Sequence, residues 1–114
     1  MTRKVLLVSN DKEFKDFIKI ATLTLTKLNH QITITEDKKD GHIDWMILDM
    51  DTDKEENFEF IFASRKSELN QKRKIVSVLS SIADDVREQL FKSGCDSIMT
   101  KKEFMAAANN ILIF

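Results

Sequence analysis

Proline is absent from the 114-residue sequence, and glycine occurs only twice, as Gly41 and Gly94. These two residue types supply most of the local signals for turns and for the ends of helices. Because they are so scarce, helix boundaries have to be predicted from capping residues. No internal repeat, linker or low-complexity segment divides the sequence. We therefore predict that residues 1–114 form a single domain with no separate output domain.

Cysteine is nearly absent as well, since Cys95 is the only one and cannot form an internal disulfide. A single unpaired cysteine is compatible with a reducing compartment, which predicts a cytoplasmic protein. The sequence has only two histidines, and neither lies in a motif that would make Cys95 a metal ligand or a nucleophile. We predict that Cys95 is a small, buried, apolar side chain.

A strong charge of one sign and long hydrophobic runs are also missing. The 18 basic and 19 acidic residues leave a net charge of −1, which gives no electrostatic basis for binding nucleic acid. No apolar run approaches the roughly 20 residues that a membrane-spanning helix requires. The N-terminus lacks the apolar segment of a signal peptide. We therefore expect neither nucleic acid nor a membrane as a partner.

What the sequence does contain is an alternation of strand and helix patterns. Strands are predicted at Lys4–Val8, Gln31–Thr35, Ile43–Asp49, Lys74–Leu79 and Ser97–Met99. An amphipathic helix follows every strand except the second, and its apolar residues are predicted to face inward. In chain order these residues are Phe14, Phe17, Ile18, Ala21, Leu25 and Leu28; Phe58, Ile61, Phe62 and Leu69; Val86, Leu90 and Phe91; and Phe104, Ala108, Ile111 and Leu112. The alternation predicts an α/β fold with a doubly wound parallel sheet of five strands, in the order 2-1-3-4-5.

Capping residues locate the starts of the helices. Asn10, followed three residues later by Glu13, matches a capping box before the first helix. The same spacing recurs in Asp53 with Glu56, Ser81 with Asp84, and Thr100 with Glu103. Gly94 is well placed to end the third helix in a left-handed conformation.

The connection between the second and third strands is unusually short, since only residues 37–43 are left for it. A parallel crossover usually takes a dozen or more residues and includes a helix. Seven extended residues reach roughly 24 Å, and the diagonal path back across the sheet is roughly 20 Å. The helix between these strands is therefore predicted to be missing or reduced to a turn. We predict that the uncovered patch of sheet is either plugged by large side chains or paired with another chain.

The third strand is apolar on both faces and ends in Asp49, with Asp51 two residues further on. A short run of this kind is typical of a strand that is buried on both sides. Ligands of open parallel sheets bind beyond the carboxyl ends of the strands. The sequence therefore predicts a candidate site around Asp49.

Three parts of the sequence resemble the receiver domains of response regulators, and together they extend over essentially the whole chain. Residues 4–14, KVLLVSNDKEF, are similar to the first strand and acidic corner of the family. Residues 44–49, DWMILD, are similar to the third strand, which ends in a phospho-accepting aspartate. Residues 76–81, VSVLSS, and 94–101, GCDSIMTK, are similar to the hydroxyl-bearing fourth strand and the lysine-bearing fifth. The resemblance implies a CheY-like, flavodoxin-like fold.

The resemblance also implies a site chemistry. In the family a carboxylate takes a phosphoryl group from the phosphohistidine of a kinase, while Mg²⁺ neutralises the crowded oxygens. Carried over to this sequence, Asp49 is the implied phospho-acceptor, and Ser80 and Lys101 are the hydroxyl and the cation that hold the phosphoryl group. The implied Mg²⁺ ligands are Asn10, Asp49 and the backbone carbonyl of Asp51.

The sequence departs from the family pattern at several of these positions. The adjacent pair of acids after the first strand is replaced by Ser9 and Asn10, and affinity for a hard dication depends on ligand charge. The aromatic switch residue is replaced by Ile98, and the proline after the lysine by Lys102. We therefore expect Mg²⁺ binding to be weak or lost.

Two hypotheses follow from this pattern. The first is a stand-alone pseudo-receiver that signals through protein–protein contacts, with a sensor kinase or a downstream signalling protein as its partner. The second is an active single-domain phosphorelay receiver that is phosphorylated on Asp49. We do not predict an enzyme, because the sequence has no nucleophile–base pair and no glycine-rich phosphate loop. Two surfaces are candidates for a partner or a homodimer: the sheet face left open by the short connection, and the face formed by the last strand and the helices on either side of it.

Each candidate residue also has a purely structural interpretation. For Asp49 the competing interpretation is an acid at a strand end that hydrogen-bonds to the N-terminus of the next helix, and Lys101 is expected to pair with it in either case. Ser80 would satisfy a loop amide. Asn10 would serve only as the cap of the first helix.

Overall fold

The computed structural model describes residues 2–67 and 73–113, which form five strands and four helices. The strands are β1 (Thr2–Val8), β2 (Gln31–Thr35), β3 (Trp45–Asp49), β4 (Lys74–Leu79) and β5 (Ser97–Thr100). The helices are α1 (Lys12–Lys27), α2 (Lys54–Lys66), α3 (Asp84–Ser93) and α4 (Lys101–Ile113). None of these described helices is long and apolar enough to span a membrane.

The five strands form one parallel sheet in the order β2-β1-β3-β4-β5, which confirms the predicted topology. In the register of the sheet, Val8 of β1 lies beside Leu48 of β3, and Leu79 of β4 lies beside Thr100 of β5. These four strands therefore end at neighbouring positions along one edge. In open parallel sheets this is the edge at which ligands bind.

Helices cover both faces of the sheet, and each face has its own apolar core. Alternate residues of β1 point to opposite faces, as the pleat of a strand requires. The first core lies under α1 and α4 and includes Val5, Leu7, Ile47, Phe14 and Phe104. The second core lies under α2 and α3 and includes Leu6, Met46, Leu48, Phe58, Ile61 and Leu90. Cys95 belongs to the second core and is a free, buried thiol, as predicted.

Most residues that were predicted to face inward are buried, but the prediction is wrong for Leu28, Phe62 and Phe91. These residues are 63%, 50% and 50% exposed, respectively. Leu28 lies just beyond the last residue of α1. Phe62 and Phe91 each directly follow a buried residue of the same helix, and one helical step turns the side chain by about 100°. Leu69 was also predicted to face inward and lies outside the described residues.

The predicted caps are correct at Thr100 and wrong at Asn10. Thr100 and Glu103 form the predicted capping box, in which the backbone N–H of each residue donates to the side chain of the other at 3.0 Å. The cap of α1 is Asp11, whose carboxylate accepts a hydrogen bond from the N–H of Phe14 at 3.2 Å. A carboxylate is favoured at this position by the positive end of the helix dipole, which an amide oxygen does not complement equally.

The starts of α2 and α3 do not have the capping boxes that the sequence spacing predicts. α2 begins directly after Asp53, which has a left-handed φ of 45° and makes no side-chain cap hydrogen bond. α3 begins after Ala83 and not after Ser81. Gly94 ends α3 with a φ of 111°, as predicted.

The connection from β2 to β3, residues 36–44, contains no helix, as predicted. It is tied to β1 by two hydrogen bonds of 2.9 Å, from the N–H of Asp44 to the carbonyl of Lys4 and from the N–H of Lys4 to the carboxylate of Asp44. The ammonium of Lys4 also forms an ion pair with Asp40. Ile43 from this connection is buried in the second core. Burial of Ile43 is in line with the predicted plug, while the covering of the whole patch by large side chains and the pairing of this face with another chain stay predictions.

Arg65 of α2 connects the end of α3 to the sheet by hydrogen bonds and an ion pair. Its guanidinium donates to the carbonyls of Gly94 at 2.6 Å and Arg73 at 2.8 Å, and it forms an ion pair with Asp96. The carboxylate of Asp96 in turn accepts a hydrogen bond from the N–H of Ile75 in β4 at 2.7 Å. Gly94 packs directly on the Arg65 side chain, so a β-carbon at this position would collide with its Cγ.

We expect Gly94→Ala to lower the free energy of unfolding by roughly 1–2 kcal/mol, the cost of a left-handed backbone for a residue with a β-carbon. The collision with Arg65 adds to this cost, because the hydrogen bonds of the guanidinium hold that side chain in place. Chemical denaturation measures the loss. Gly41→Ala is the matched control, since nothing lies within 4 Å of the added carbon there, and it should be nearly neutral. Equal stabilities of the two variants would contradict this account.

Candidate functional site

The candidate site lies where β1, β3, β4 and β5 end along one edge of the sheet. Asp49 is the last residue of β3, and Ser80 directly follows β4. Lys101 is the first residue of α4, immediately after β5. The parallel topology thus brings the three predicted site residues to one place, although they are far apart in the sequence.

Asp49 is completely buried, and protein groups already engage both of its carboxylate oxygens. Oδ2 accepts a hydrogen bond from Ser9 Oγ at 2.6 Å and lies 2.9 Å from Lys101 Nζ. Oδ1 accepts a hydrogen bond from the backbone N–H of Asp51 at 3.0 Å. A buried charge requires partners of this kind, because leaving it unpaired is costly. The predicted pairing of Lys101 with Asp49 is confirmed.

Lys101 is the centre of the cluster, because its ammonium contacts three carboxylates. Nζ lies 2.9 Å from Asp49, 3.0 Å from Asp51 and 3.2 Å from Asp11. Burial alone would lower the pKa of Lys101, but the hydrogen bonds to these carboxylates raise its pKa above the usual value. The lysine is therefore charged at neutral pH, and its ammonium is shared among three carboxyl groups.

Asp51 and Ser80 form a second pair beside the lysine. Ser80 Oγ donates to Oδ2 of Asp51 at 2.6 Å, and the backbone N–H of Ser80 donates to the same oxygen at 3.0 Å. Burial raises the pKa of Asp51, but the hydrogen bonds from Ser80 and then Lys101 lower its pKa below the usual range. The hydroxyl of Ser80 therefore donates to a carboxylate, and its predicted role in satisfying a loop amide stays a prediction.

Ser9 and Asp11 connect the end of β1 to the cluster. Ser9 is buried, and its hydroxyl accepts a hydrogen bond from the N–H of Asp11 at 3.0 Å while it donates to Asp49. Asp11 uses its carboxylate both to cap α1 and to contact Lys101. The hydrogen bond from the N–H of Phe14, followed by that from Lys101, holds the pKa of Asp11 below its usual value. Asp11 thus supplies one negative charge at the end of β1, where Ser9 and Asn10 are neutral.

Two of the candidate Mg²⁺ ligand residues, Asp49 and Asp51, have their carboxylates engaged by protein groups in this arrangement. Asn10 is exposed, and its Nδ2 lies 3.5 Å from Oδ2 of Asp53. The carboxylates of Asp49 and Asp51 are both turned to Lys101, whose ammonium occupies the space between them. Within residues 2–67 and 73–113, no group of three or more His, Cys, Asp or Glu side chains is arranged to hold a metal ion. A role of the Asp51 carbonyl as a ligand stays a prediction.

A mainly polar cleft of about 220 Å³ opens beside the cluster. Its lining residues are Leu7, Val8, Ser9, Asn10, Lys15, Glu36, Lys38, Thr52 and Asp53. Ser9, which donates to Asp49, is part of this lining, whereas Asp49 itself has no exposed surface. A phosphoryl donor would therefore reach Asp49 only after the surrounding side chains move.

Sequence reasoning missed the roles of Asp11, Asn57 and the Asp51 side chain. Asn57 is buried in the first turn of α2, and its Nδ2 donates to the carbonyls of Asp49 at 3.1 Å and Thr52 at 2.9 Å. It therefore fixes the turn that carries Asp51. A polar amide at a position that the helix buries is the one signal that would have identified it.

Response regulators of known structure are similar to this chain over nearly its whole length. A response regulator from Hahella chejuensis superposes with a TM-score of 0.78 at 22% sequence identity, and the match covers 97% of this chain and 92% of that one. The phosphorylated cyanobacterial phytochrome response regulator RcpA gives a TM-score of 0.77 at 15% identity, with 97% and 91% covered. A response regulator crystallised in its Mn²⁺-bound form gives 0.74 at 15% identity, with 96% and 91% covered. No family model and no curated protein matches the sequence.

The chain is thus a doubly wound α/β protein with its candidate site at the carboxyl edge of the sheet. More particularly, it has the fold of a response-regulator receiver domain, which confirms the predicted fold. At these sequence identities the similarity defines the fold, and a function has to be argued from the side chains of the site.

Proposed function

We propose that this protein is an atypical receiver domain of two-component-type signal transduction. In this proposal it acts by binding other proteins, as a pseudo-receiver without enzymatic activity, and Mg²⁺-dependent phosphorylation of Asp49 is weak or absent. The receiver fold supports a role in this type of signalling. We assign the protein to the cytoplasm, where the buried thiol of Cys95 would stay reduced.

The observation that carries this proposal is that the Asp49 carboxylate is buried and that protein groups engage both of its oxygens. A nucleophilic oxygen has to approach the phosphorus of a donor directly. In this site Oδ2 is bound by Ser9 and Lys101, and Oδ1 by an N–H, while the whole residue is buried. A phosphoryl donor would therefore reach an oxygen of Asp49 only after the groups that cover the residue move.

The donor set available for Mg²⁺ supports the same conclusion. Ser9 and Asn10 carry no charge, and the hydroxyl of Ser9 is already used by Asp49. Asp11 supplies a carboxylate, but this group is engaged by the helix N-terminus and by Lys101. Because binding of a hard dication depends on charged oxygen ligands, this set is expected to bind Mg²⁺ weakly.

The alternative function is an active phosphorelay receiver that is phosphorylated on Asp49. It is supported by the convergence of Asp49, Ser80 and Lys101 at one edge, with Lys101 in direct contact with the carboxylate. These are the three residue types that such a phosphoryl transfer requires. Under this alternative, Ser9 and Asp51 would have to release the groups that they now hold.

Two surfaces are proposed for the protein partner, which we expect to be a sensor kinase or a downstream signalling protein. The first is formed by α3, β5 and α4, and α3 carries one half-exposed aromatic ring, that of Phe91. The second is the sheet face beside the β2–β3 connection, where Thr33 and Thr35 lie next to β1. Either surface would also serve a homodimer.

Intact mass spectrometry and amide NMR test the proposal against its alternative. The protein is incubated with saturating Mg²⁺ and either acetyl phosphate or beryllofluoride. We expect no adduct of about 80 Da, the mass of one phosphoryl unit, and no shift of the Asp49 or Lys101 amides. A phosphorylatable receiver treated in parallel verifies the reagents. An adduct in the wild type that is lost in Asp49→Asn would establish the alternative instead.

A further inference from the structure

The carboxylate of Asp51 binds three donors from two different segments of the chain. It accepts hydrogen bonds from the hydroxyl of Ser80 at 2.6 Å and from the N–H of Ser80 at 3.0 Å. It also lies 3.0 Å from the ammonium of Lys101. Asp49 and Asp11 contact the same ammonium, but of the three carboxylates only Asp51 also binds Ser80. Asp51 is therefore the link between the end of β4 and the start of α4.

A hydroxyl, an amide N–H and an ammonium that converge on one point are the donors that bind an oxyanion. In this protein that point is already occupied by an anion belonging to the chain itself. Hydrogen bonds to a charged acceptor are roughly twice as strong as neutral ones. Any new anion attached to Asp49 would thus have to compete with Asp51 for both the hydroxyl of Ser80 and the ammonium of Lys101.

We propose that Asp51 is an internal latch that holds Ser80, and with it the segment of residues 80–83 between β4 and α3, in one fixed conformation. The carboxylate takes the place of an external oxyanion at the Ser80 and Lys101 donors. As a result, a covalent change at Asp49 does not alter the conformation of the chain at the start of α3. The latch deepens the proposed function and rests on it, since it gives the reason why the contact surface beside α3 does not respond to phosphorylation.

The latch is tested on the full chain by amide hydrogen exchange, without any phosphodonor. In the wild type the N–H of Ser80 is expected to be protected by its bond to Asp51. Asp51→Ala empties the acceptor position and should speed exchange of this amide by about tenfold or more. Asp51→Asn keeps an acceptor oxygen but no charge, so an intermediate rate is expected. Asp53→Asn is the matched control, because Asp53 is an exposed acid near the site whose contact is with Asn10. It should leave the exchange of Ser80 unchanged.

A second measurement follows the Ser80 amide while Mg²⁺ and beryllofluoride are added. We expect this resonance to stay in place in the wild type and to shift in Asp51→Ala, where the Ser80 and Lys101 donors are released. Equal exchange of Ser80 in the wild type and in Asp51→Ala would overturn the latch, even if Asp49 proves inert and the proposed function stands.

The proposed function can also fail while the latch is confirmed, and the same measurements identify this case. A phosphoryl adduct on wild-type Asp49 with an unmoved Ser80 amide would overturn the proposed function and support the latch. An adduct together with a shifted Ser80 amide would overturn both.

Discussion

Lys101→Met is expected to lower the free energy of unfolding by roughly 3–5 kcal/mol at neutral pH, the cost of breaking a buried ion pair from one side. The substitution leaves Asp49 fully buried and without its counter-charge, next to Asp51 and Asp11. Methionine keeps an unbranched side chain of similar length, so the loss reports charge more than packing. Urea denaturation at a fixed pH measures the loss.

The pH dependence of stability should become weaker in this variant. In the wild type, the lowered pKa values of Asp51 and Asp11 contribute stability that is present above the unfolded value of about 3.9 and is lost as the pH falls through the folded values. In Lys101→Met both carboxylates lose one of the contacts that lower their pKa, so this contribution is smaller than in the wild type. The variant should therefore lose less stability than the wild type as the pH is lowered from 7 towards about 4 and below.

Lys102→Met is the matched control, because Lys102 is the next residue of α4 and is exposed. Its stability should stay within roughly 0.5 kcal/mol of the wild type. The double variant Asp49→Asn, Lys101→Met should recover part of the loss, since it removes the buried charge that Lys101 balances. If Lys101→Met and Lys102→Met were equally stable, the ammonium would not be the counter-charge of this site.

The fold could be predicted from the sequence because strand and helix patterns alternate along the chain, with the one exception of the connection between β2 and β3. β2 and β4 have the predicted bounds, and the short connection between β2 and β3 is accommodated as the reach of the chain suggested. The errors lie at helix starts and at the edges of apolar stripes. Asn10 and Asp11 are adjacent polar residues that both suit a cap, and the contact with Lys101, which depends on the tertiary structure, adds to the preference of the helix dipole for the carboxylate. Phe62 is apolar like its buried neighbour, yet one helical step separates a buried from an exposed position.

The site could be predicted as a set of positions but not as a set of contacts. The order of strands places Asp49, Ser80 and Lys101 at one edge, which the structure bears out. It does not fix side-chain rotamers, so the turn of the Asp51 carboxylate towards Ser80 was not foreseen. From the sequence, the presence of Ser9 and Asn10 at the positions of two family acids predicts only a loss of charge. In the structure Ser9 supplies a hydrogen bond to Asp49, and Asp11 restores one carboxylate.

Phe104→Ala should also cost roughly 3–5 kcal/mol, the usual range for removing a fully buried phenylalanine ring. Phe104 has no exposed surface, and its ring meets that of Phe14 edge to face at a centroid distance of 5.7 Å. This loss approaches the whole stability of a small domain, which is about 5–15 kcal/mol. Denaturation at low temperature in the presence of a stabilising osmolyte keeps the variant measurable. Phe91→Ala makes the same chemical change at a half-exposed position and should cost less than about 1 kcal/mol.

The effect of Phe104→Ala should extend from the core to the site. Phe104 lies one turn after Lys101 in α4, and the ring of Phe14, against which it packs, lies 5.7 Å from the ammonium of Lys101. Removing the Phe104 ring withdraws the support beneath the first turn of α4, from which Lys101 reaches the three carboxylates. We therefore expect amide exchange at residues 101–104 to accelerate more than exchange at the far end of the helix. If exchange rose equally along α4, Phe104 would stabilise the helix as a whole and would not position Lys101.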